Sequence, residues 1–266
     1  MKIKQLIKRL FGTKVYAKIN YVDINKTLAG RTILITGGGT GIGKAIALSC
    51  IKSGAEVIVV GRREEVLKKV CEEFGDKCKY IVFDVQSFSR HNLFDCCSTI
   101  VNKPIDGFVN NAGIYKDKKP LDWSVDDFDD VINVNLKAPV FLTIQYLNYC
   151  KNNGIVGNVV ITSSNRALFG DCGPYGISKT GLNCYLEGIA RENILTGIRI
   201  NAVCPGMTAS DINKIKEDSD LFTSSSKNKR VILPGEIAQV VRFLLSNESA
   251  CITGAVIPCD FGDRLR

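Results

Sequence analysis

At 266 residues, 45% hydrophobic and 23% charged, the chain suits one globular domain with a sizeable core, and nothing requires a second. The formal net charge of +8 would suit a nucleic-acid partner, but residues 1–18 hold Lys2, Lys4, Lys8, Arg9, Lys14 and Lys18 with no acid, which leaves 29 basic against 27 acidic residues elsewhere, a net of +2. That near-neutral body excludes a nucleic-acid interface, no apolar run has transmembrane length, and the start lacks the uncharged core of a secretory signal.

Eleven cysteines, an odd number without repeated short metal-type spacing, read as reduced and mostly buried thiols of a cytoplasmic protein, with no metal site.

Residues 1–27 read as a basic N-terminal extension. Ile3, Leu6, Ile7, Leu10 and Phe11 would share one helical face, with lysines around it. Such a helix either packs on its own domain or a second subunit, or makes weak contact with an anionic membrane surface; one short helix is a marginal anchor, which favours packing. From residue 28 to 266 strands and helices alternate. The expected strands are Thr32–Ile35, Glu56–Val60, Tyr80–Phe83, Gly107–Asn110, Asn158–Thr162, Arg199–Val203 and Val256–Cys259. They are apolar runs rather than clean alternations, which predicts a single-domain α/β fold: a doubly wound Rossmann-like sheet of about seven parallel strands covered on both faces. The long irregular stretch 207–233 reads as a lid.

Directly behind the first strand lies Thr36-Gly37-Gly38-Gly39-Thr40-Gly41-Ile42-Gly43, and Lys44 to Leu48 continue as a helix. Strand, glycine turn and helix together suit a diphosphate, which needs bare N–H groups at a helix start and a turn that side chains forbid. Nineteen residues after Gly43, Arg62 follows the second strand, where such a unit reads the adenosine ribose. Tyr175 and Lys179, spaced i and i+4, share a helix face, so an ammonium can sit beside a phenol and lower its pKa toward the working range. Ser164 ends a strand eleven residues before Tyr175. His91, the only histidine, reads as a surface residue.

The set Thr36-Gly37-x3-Gly41-x-Gly43, Asp84-Val85, Asn110-Asn111-Ala112-Gly113, Asn135, Ser164, Tyr175-x3-Lys179, Arg199-x-Asn201, Pro205-Gly206 and Thr253-Gly254 with Asp260 resembles the short-chain dehydrogenase/reductase family across about residues 28–262. The resemblance implies an oxidoreductase in which Tyr175 is general acid/base and Ser164 holds the substrate oxygen. It implies that Lys179 binds the nicotinamide ribose and tunes Tyr175, and that Asn135 supports a proton-relaying water. By the same resemblance Gly37, Gly39, Thr40, Gly41, Ile42, Gly43, Asp84, Val85, Asn111, Ala112, Gly113, Tyr175, Lys179, Pro205, Gly206, Thr208 and Ser210 contact the cofactor.

Arg62 and Arg63 stand where NAD-preferring relatives have an acid, and arginine would clamp a 2′-phosphate, so NADP(H) is expected over NAD(H). Thr40, where NADP-preferring relatives often carry a basic residue, counts the other way. Ser163 is a rival for the Ser164 role, the loop Asn165–Pro174 is short for the family, and Phe261 replaces a usual glycine. Asn165 and Arg166, with Lys214, Lys216, Lys227, Lys229 and Arg230 in the lid, point to a polar small molecule or sugar as the carbonyl or alcohol substrate. A 3-oxoacyl-carrier-protein reductase is the alternative, and Thr196, where that type has a basic residue, counts against it. An NADP(H)-sensing regulator or scaffold is the alternative of another class. Relatives of this size suggest a homodimer or homotetramer.

Overall fold

The computed structural model describes residues 26–89, 92–213 and 215–265; the proposed N-terminal helix, His91 and Lys214 lie outside them. Seven strands form one parallel sheet: β1 (Thr32–Thr36), β2 (Glu56–Gly61), β3 (Cys78–Val82), β4 (Gly107–Asn110), β5 (Asn158–Thr162), β6 (Arg199–Pro205) and β7 (Val256–Cys259). The order across the sheet is β3-β2-β1-β4-β5-β6-β7. The chain therefore winds outward from β1 to one edge, returns, and winds outward from β4 to the other. The two directions part between β1 and β4, and their connections leave a crevice at the carboxyl ends of those strands.

Helices α1 (Gly41–Lys52), α2 (Glu64–Phe74), α3 (Leu93–Val101), α4 (Val125–Ile132), α5 (Ala138–Asn153), α6 (Pro174–Glu192) and α7 (Pro234–Leu245) cover both faces. Successive residues of a strand point to opposite faces, and β1 shows how both are filled. Ile33 and Ile35 pack with Ile46 of α1, Leu67 of α2 and Val241 of α7; Leu34 packs with Phe94 of α3, Leu142 of α5 and Leu186 of α6. Full burial of each such side chain stabilises the fold by about 1.5–3 kcal/mol. Phe94, Phe108 and Tyr146 form an aromatic cluster with centroids 5.0 to 5.6 Å apart. All eleven cysteines are free thiols. Among the described residues no helix is long and apolar enough to cross a membrane.

The structure moves several expected bounds. β3 begins at Cys78 rather than Tyr80, because the small buried Cys78 already pairs with Val57, and it ends one residue before Phe83. β6 runs on to Pro205, whose partner is Cys259. The stretch 207–233 holds no helix or strand among its described residues, as its composition suggested, but it is not without internal packing. Thr208 bridges Ile232, Phe222 bridges Arg230, and Ala209, Leu221, Val231 and Leu233 bury a small core of their own. Asp263 ties this stretch to the C-terminal segment, accepting from Ser226 Oγ at 3.1 Å and Lys227 N at 2.7 Å.

Two members of the sequence set are structural. The Arg199 guanidinium donates to the carbonyls of Leu244, Ser246 and Ser249 at the end of α7, and Asn201 closes on the main chain of Ile252 and Ala255. Phe261 adopts φ +54°, in the left-handed region where glycine would avoid a cost of about 1–2 kcal/mol, and Arg230 lies 4.6 Å over its ring.

Candidate active site

The crevice is shaped first by the junction of β1 and β4. Thr36 Oγ1 accepts from Asn111 N at 3.0 Å and Ala112 N at 3.1 Å, while Asn111 Nδ2 donates back to Thr36 O at 3.0 Å. Gly37, at φ +66°, then turns the chain into α1. The turn is so tight that a Cβ on Gly43 would sit 2.1 Å from Gly37 O, so no side chain fits. Thr40 at the N-cap makes no side-chain capping bond, and the first turn of α1 carries no acid. The N–H groups of that turn consequently face the crevice unspent, with the positive end of the helix dipole behind them. This is the chemistry a diphosphate requires.

The crevice encloses about 1020 Å³. Gly37, Gly39, Thr40, Gly41, Ile42 and Gly43 line its floor, with Arg62, Arg63, Asp84 and Val85 at one end. Arg62 and Arg63 are exposed, and neither forms an ion pair with another described residue. Asp84 is held by accepting from Gln86 N. Asn111, Ala112, Gly113, Pro205, Gly206, Thr208 and Ser210 line the middle, and Ser164, Asn165, Arg166, Tyr175 and Lys179 the other end. The volume and the bare helix start fit a dinucleotide with room for a small substrate beside it.

Ser164 is buried and lines the same end of the crevice as Tyr175, where its hydroxyl favours the ionised phenol. The rival Ser163 turns the other way, donating to Lys179 O at 3.4 Å. Lys179 is buried, its Nζ 5.8 Å from the centre of the Tyr175 ring and donating to Thr162 O at 2.8 Å. Burial pushes this ammonium down to about 8. Burial also raises the Tyr175 phenol above its ordinary value, with the nearby Ser164 hydroxyl and then the Arg166 charge pulling it back. The dominant influence on Tyr175 is thus desolvation, not the lowering by Lys179 that the spacing suggested.

Of the expected site residues, Asn135 alone does not line the crevice. It sits in a π-helical turn (Asn133–Lys137) between α4 and α5, and its side chain clamps Ile114: Oδ1 accepts from Ile114 N and Nδ2 donates to Ile114 O, each at 2.8 Å. A Cβ on Gly113 would lie 3.3 Å from Asn135 Oδ1 and 3.7 Å from Lys179 Nζ, so glycine keeps the space before the lysine open.

The lid cations among the described residues do not line the crevice. Lys216, Lys227 and Lys229 are exposed elsewhere, and Arg230 is committed to Glu236 through two bonds of 2.9 and 2.7 Å. What sequence reasoning missed is Tyr115, two residues beyond Gly113, whose ring packs edge-on against Tyr175 at 5.3 Å. An aromatic following the Asn-Ala-Gly turn was the available signal.

A family model described as short chain dehydrogenase matches residues 31–220. The chain belongs to the short-chain dehydrogenase family. Among curated members, it is 33% identical over 240 residues to the 3-oxoacyl-(acyl-carrier-protein) reductase FabG of Rickettsia bellii, covering 88% of this chain and 97% of that one. It is 31% identical over 253 residues to the 3beta-hydroxysteroid dehydrogenase 2 of Eggerthella lenta, covering 90% and 96%. Among solved structures, a 3-ketoacyl-(acyl-carrier-protein) reductase from Brucella melitensis complexed with NADH superposes with a TM-score of 0.82 at 25% identity, covering 90% of this chain and 100% of that one. Membership makes this short-chain dehydrogenase an oxidoreductase that uses a nicotinamide cofactor.

The buried lysine has a measurable signature without any ligand. Below about pH 8 the folded chain holds a charged ammonium at a cost that the Lys179→Met variant does not bear. Between about 8 and the ordinary lysine value of 10.5 the unfolded chain binds a proton that the folded chain lacks, so the parent gains stability as pH rises. Urea unfolding from pH 7 to 10 is predicted to show Lys179→Met the more stable at neutral pH, the gap narrowing above pH 8; a pH-independent gap would contradict the assignment.

Proposed function

We propose that this protein is an NADP(H)-dependent reductase of ketones, or oxidase of the corresponding secondary alcohols, with Tyr175 as general acid/base. The observation that carries the reading is the hydroxyl pair of Ser164 and Tyr175 at the crevice wall, with the Lys179 ammonium buried beside it. A bound nicotinamide supplies or accepts the hydride. The two hydroxyls converge on one substrate oxygen: Ser164 donates to it and fixes its position, and Tyr175 delivers the proton as negative charge builds there. Lys179 steadies the phenolate that remains and offers its other N–H groups to ribose hydroxyls. Asn135 acts through Ile114, holding the chain that leads from the Asn111 turn to Tyr115.

At the far end of the crevice, Arg62 and Arg63 present free guanidinium groups after β2, where an acid would repel a 2′-phosphate, and this supports NADP(H). The substrate reading rests on Asn165 and Arg166 at the wall and favours a polar molecule. A 3-oxoacyl thioester is the second reading, favoured by curated relatives from Rickettsia bellii and Thermotoga maritima that are named 3-oxoacyl-(acyl-carrier-protein) reductase at 33% and 34% identity. A cofactor-sensing scaffold would have no use for the paired hydroxyls. Homo-oligomer formation is supported by Phe128, Phe141 and Ile144, apolar yet 39%, 44% and 37% exposed on α4 and α5.

Two measurements test the proposal. In NADPH-linked reduction of acetoacetyl-CoA and a panel of polar ketones, Tyr175→Phe is expected to lose at least about a hundredfold in turnover while binding NADPH as the parent does; unchanged turnover would remove Tyr175 from the mechanism. In fluorescence titrations the parent is expected to bind NADPH about tenfold or more tightly than NADH, and Arg62→Gln to lose most of that preference. Equal affinities in the parent would discard the phosphate clamp.

A further inference from the structure

The short loop after β5 carries an arrangement that the catalytic set does not include. Ser164 Oγ accepts from Arg166 N at 3.2 Å and so anchors the start of a 3-10 turn, Asn165–Leu168. From that turn the Arg166 guanidinium reaches Asp171 Oδ2 at 2.9 Å and lies 5.7 Å over the Tyr115 ring. Tyr115 in turn packs edge-on, at 89° and 5.3 Å, against Tyr175. Asp171 is itself fixed: its side chain is only 11% exposed, Oδ1 accepts from Gly173 N at 2.9 Å, and a Cβ on Gly176 would fall 2.3 Å from its own Cβ. The contacts form a continuous chain from Ser164 through Arg166 and Tyr115 to Tyr175, with Asp171 bracing it against the first turn of α6.

We infer that Arg166 is a positioning residue for proton transfer: braced by Asp171 and stacked on Tyr115, its fixed positive charge sets the pH range in which the Tyr175 phenol exchanges its proton. The inference rests on the proposed role of Tyr175. The groups facing that phenol are Lys179 on its own helix, Ser164 and Arg166 after β5, Tyr115 after β4, and the Cys204 thiol near the end of β6; Asp117 lines the same crevice and Asp171 neutralises part of the arginine's charge. Of the two cations, Lys179 is itself weakened as an acid–base partner by burial, whereas a guanidinium stays charged throughout the working range. After burial and the nearby Ser164 hydroxyl, the Arg166 charge is the next influence on Tyr175, and it favours the phenolate. An exposed ion pair that merely stapled the loop would contribute about 0–1 kcal/mol to stability and would leave the phenol alone.

The test needs no substrate. Tyrosinate absorbance is followed against pH in the parent, Arg166→Met and Arg166→Lys, each minus the same chain carrying Tyr175→Phe, so that only Tyr175 is read. Loss of the charge is expected to raise the midpoint by roughly half a unit to one unit in Arg166→Met, with Arg166→Lys staying nearer the parent. Raising salt from 0.05 to 1 M in the unaltered protein is a second readout should Arg166→Met fold poorly, and the midpoint is expected to move upward as the charge is screened. An unchanged midpoint in Arg166→Met, or equal rises in the Met and Lys variants, would overturn the inference, as would a salt-independent midpoint in the parent. Normal turnover by Tyr175→Phe would instead sink the parent reading and leave these midpoints as they stand.

Discussion

The site depends on the clasp between the carboxyl ends of β1 and β4. One threonine hydroxyl, Thr36 Oγ1, accepts two main-chain N–H groups from the neighbouring strand's exit, and Asn111 returns a bond to Thr36 O. These bonds fix where the Gly37 turn begins and where the Asn111-Ala112-Gly113 turn diverges from it. The crevice floor is arranged about that divergence: the bare first turn of α1 on one side, and on the other Gly113, whose missing side chain leaves space beside the buried Lys179 ammonium. The sheet order supplies the opening and the clasp gives it a fixed width.

At the chemical end, two opposing electrostatic demands are met in a few ångströms. A buried ammonium is disfavoured by desolvation, and so is a buried phenolate. The two groups lie side by side, Lys179 Nζ 5.8 Å from the centre of the Tyr175 ring, so each is held in an environment that disfavours its charged form. The Thr162 carbonyl holds the ammonium and the Tyr115 ring packs against the phenol. Asn135 adds stiffness at longer range, because a π-helical turn aims its amide at both polar atoms of Ile114.

All seven strands were legible in the sequence because each is a short apolar run between turn residues, and a parallel sheet covered on both faces leaves just that trace. Their ends were less so. Cys78 and Pro205 are strand residues by virtue of partners, Val57 and Cys259, that no local pattern names. The residues that line the crevice were readable as motifs whose glycines and charges have local reasons. The π-helical turn around Asn135 has no composition of its own and stayed hidden. The lid cations misled for a physical reason: charge in a sequence carries no direction, and Arg230 faces Glu236 and Phe261 rather than the crevice. Tyr115 was missed because its importance lies in a ring contact with Tyr175, sixty residues further along the chain.

The most direct test of the central proposal, carbonyl reduction at the Ser164–Tyr175 wall, is isotopic. The parent protein would be given NADPH deuterated at the transferable position of the nicotinamide C4, with acetoacetyl-CoA and the polar ketones, and the alcohol product weighed by mass spectrometry. The account predicts one deuterium on the new carbinol carbon, and none formed by Tyr175→Phe on the same timescale. A product whose carbinol hydrogen comes from water, or no product from any carbonyl in the panel despite tight NADPH binding, would contradict it.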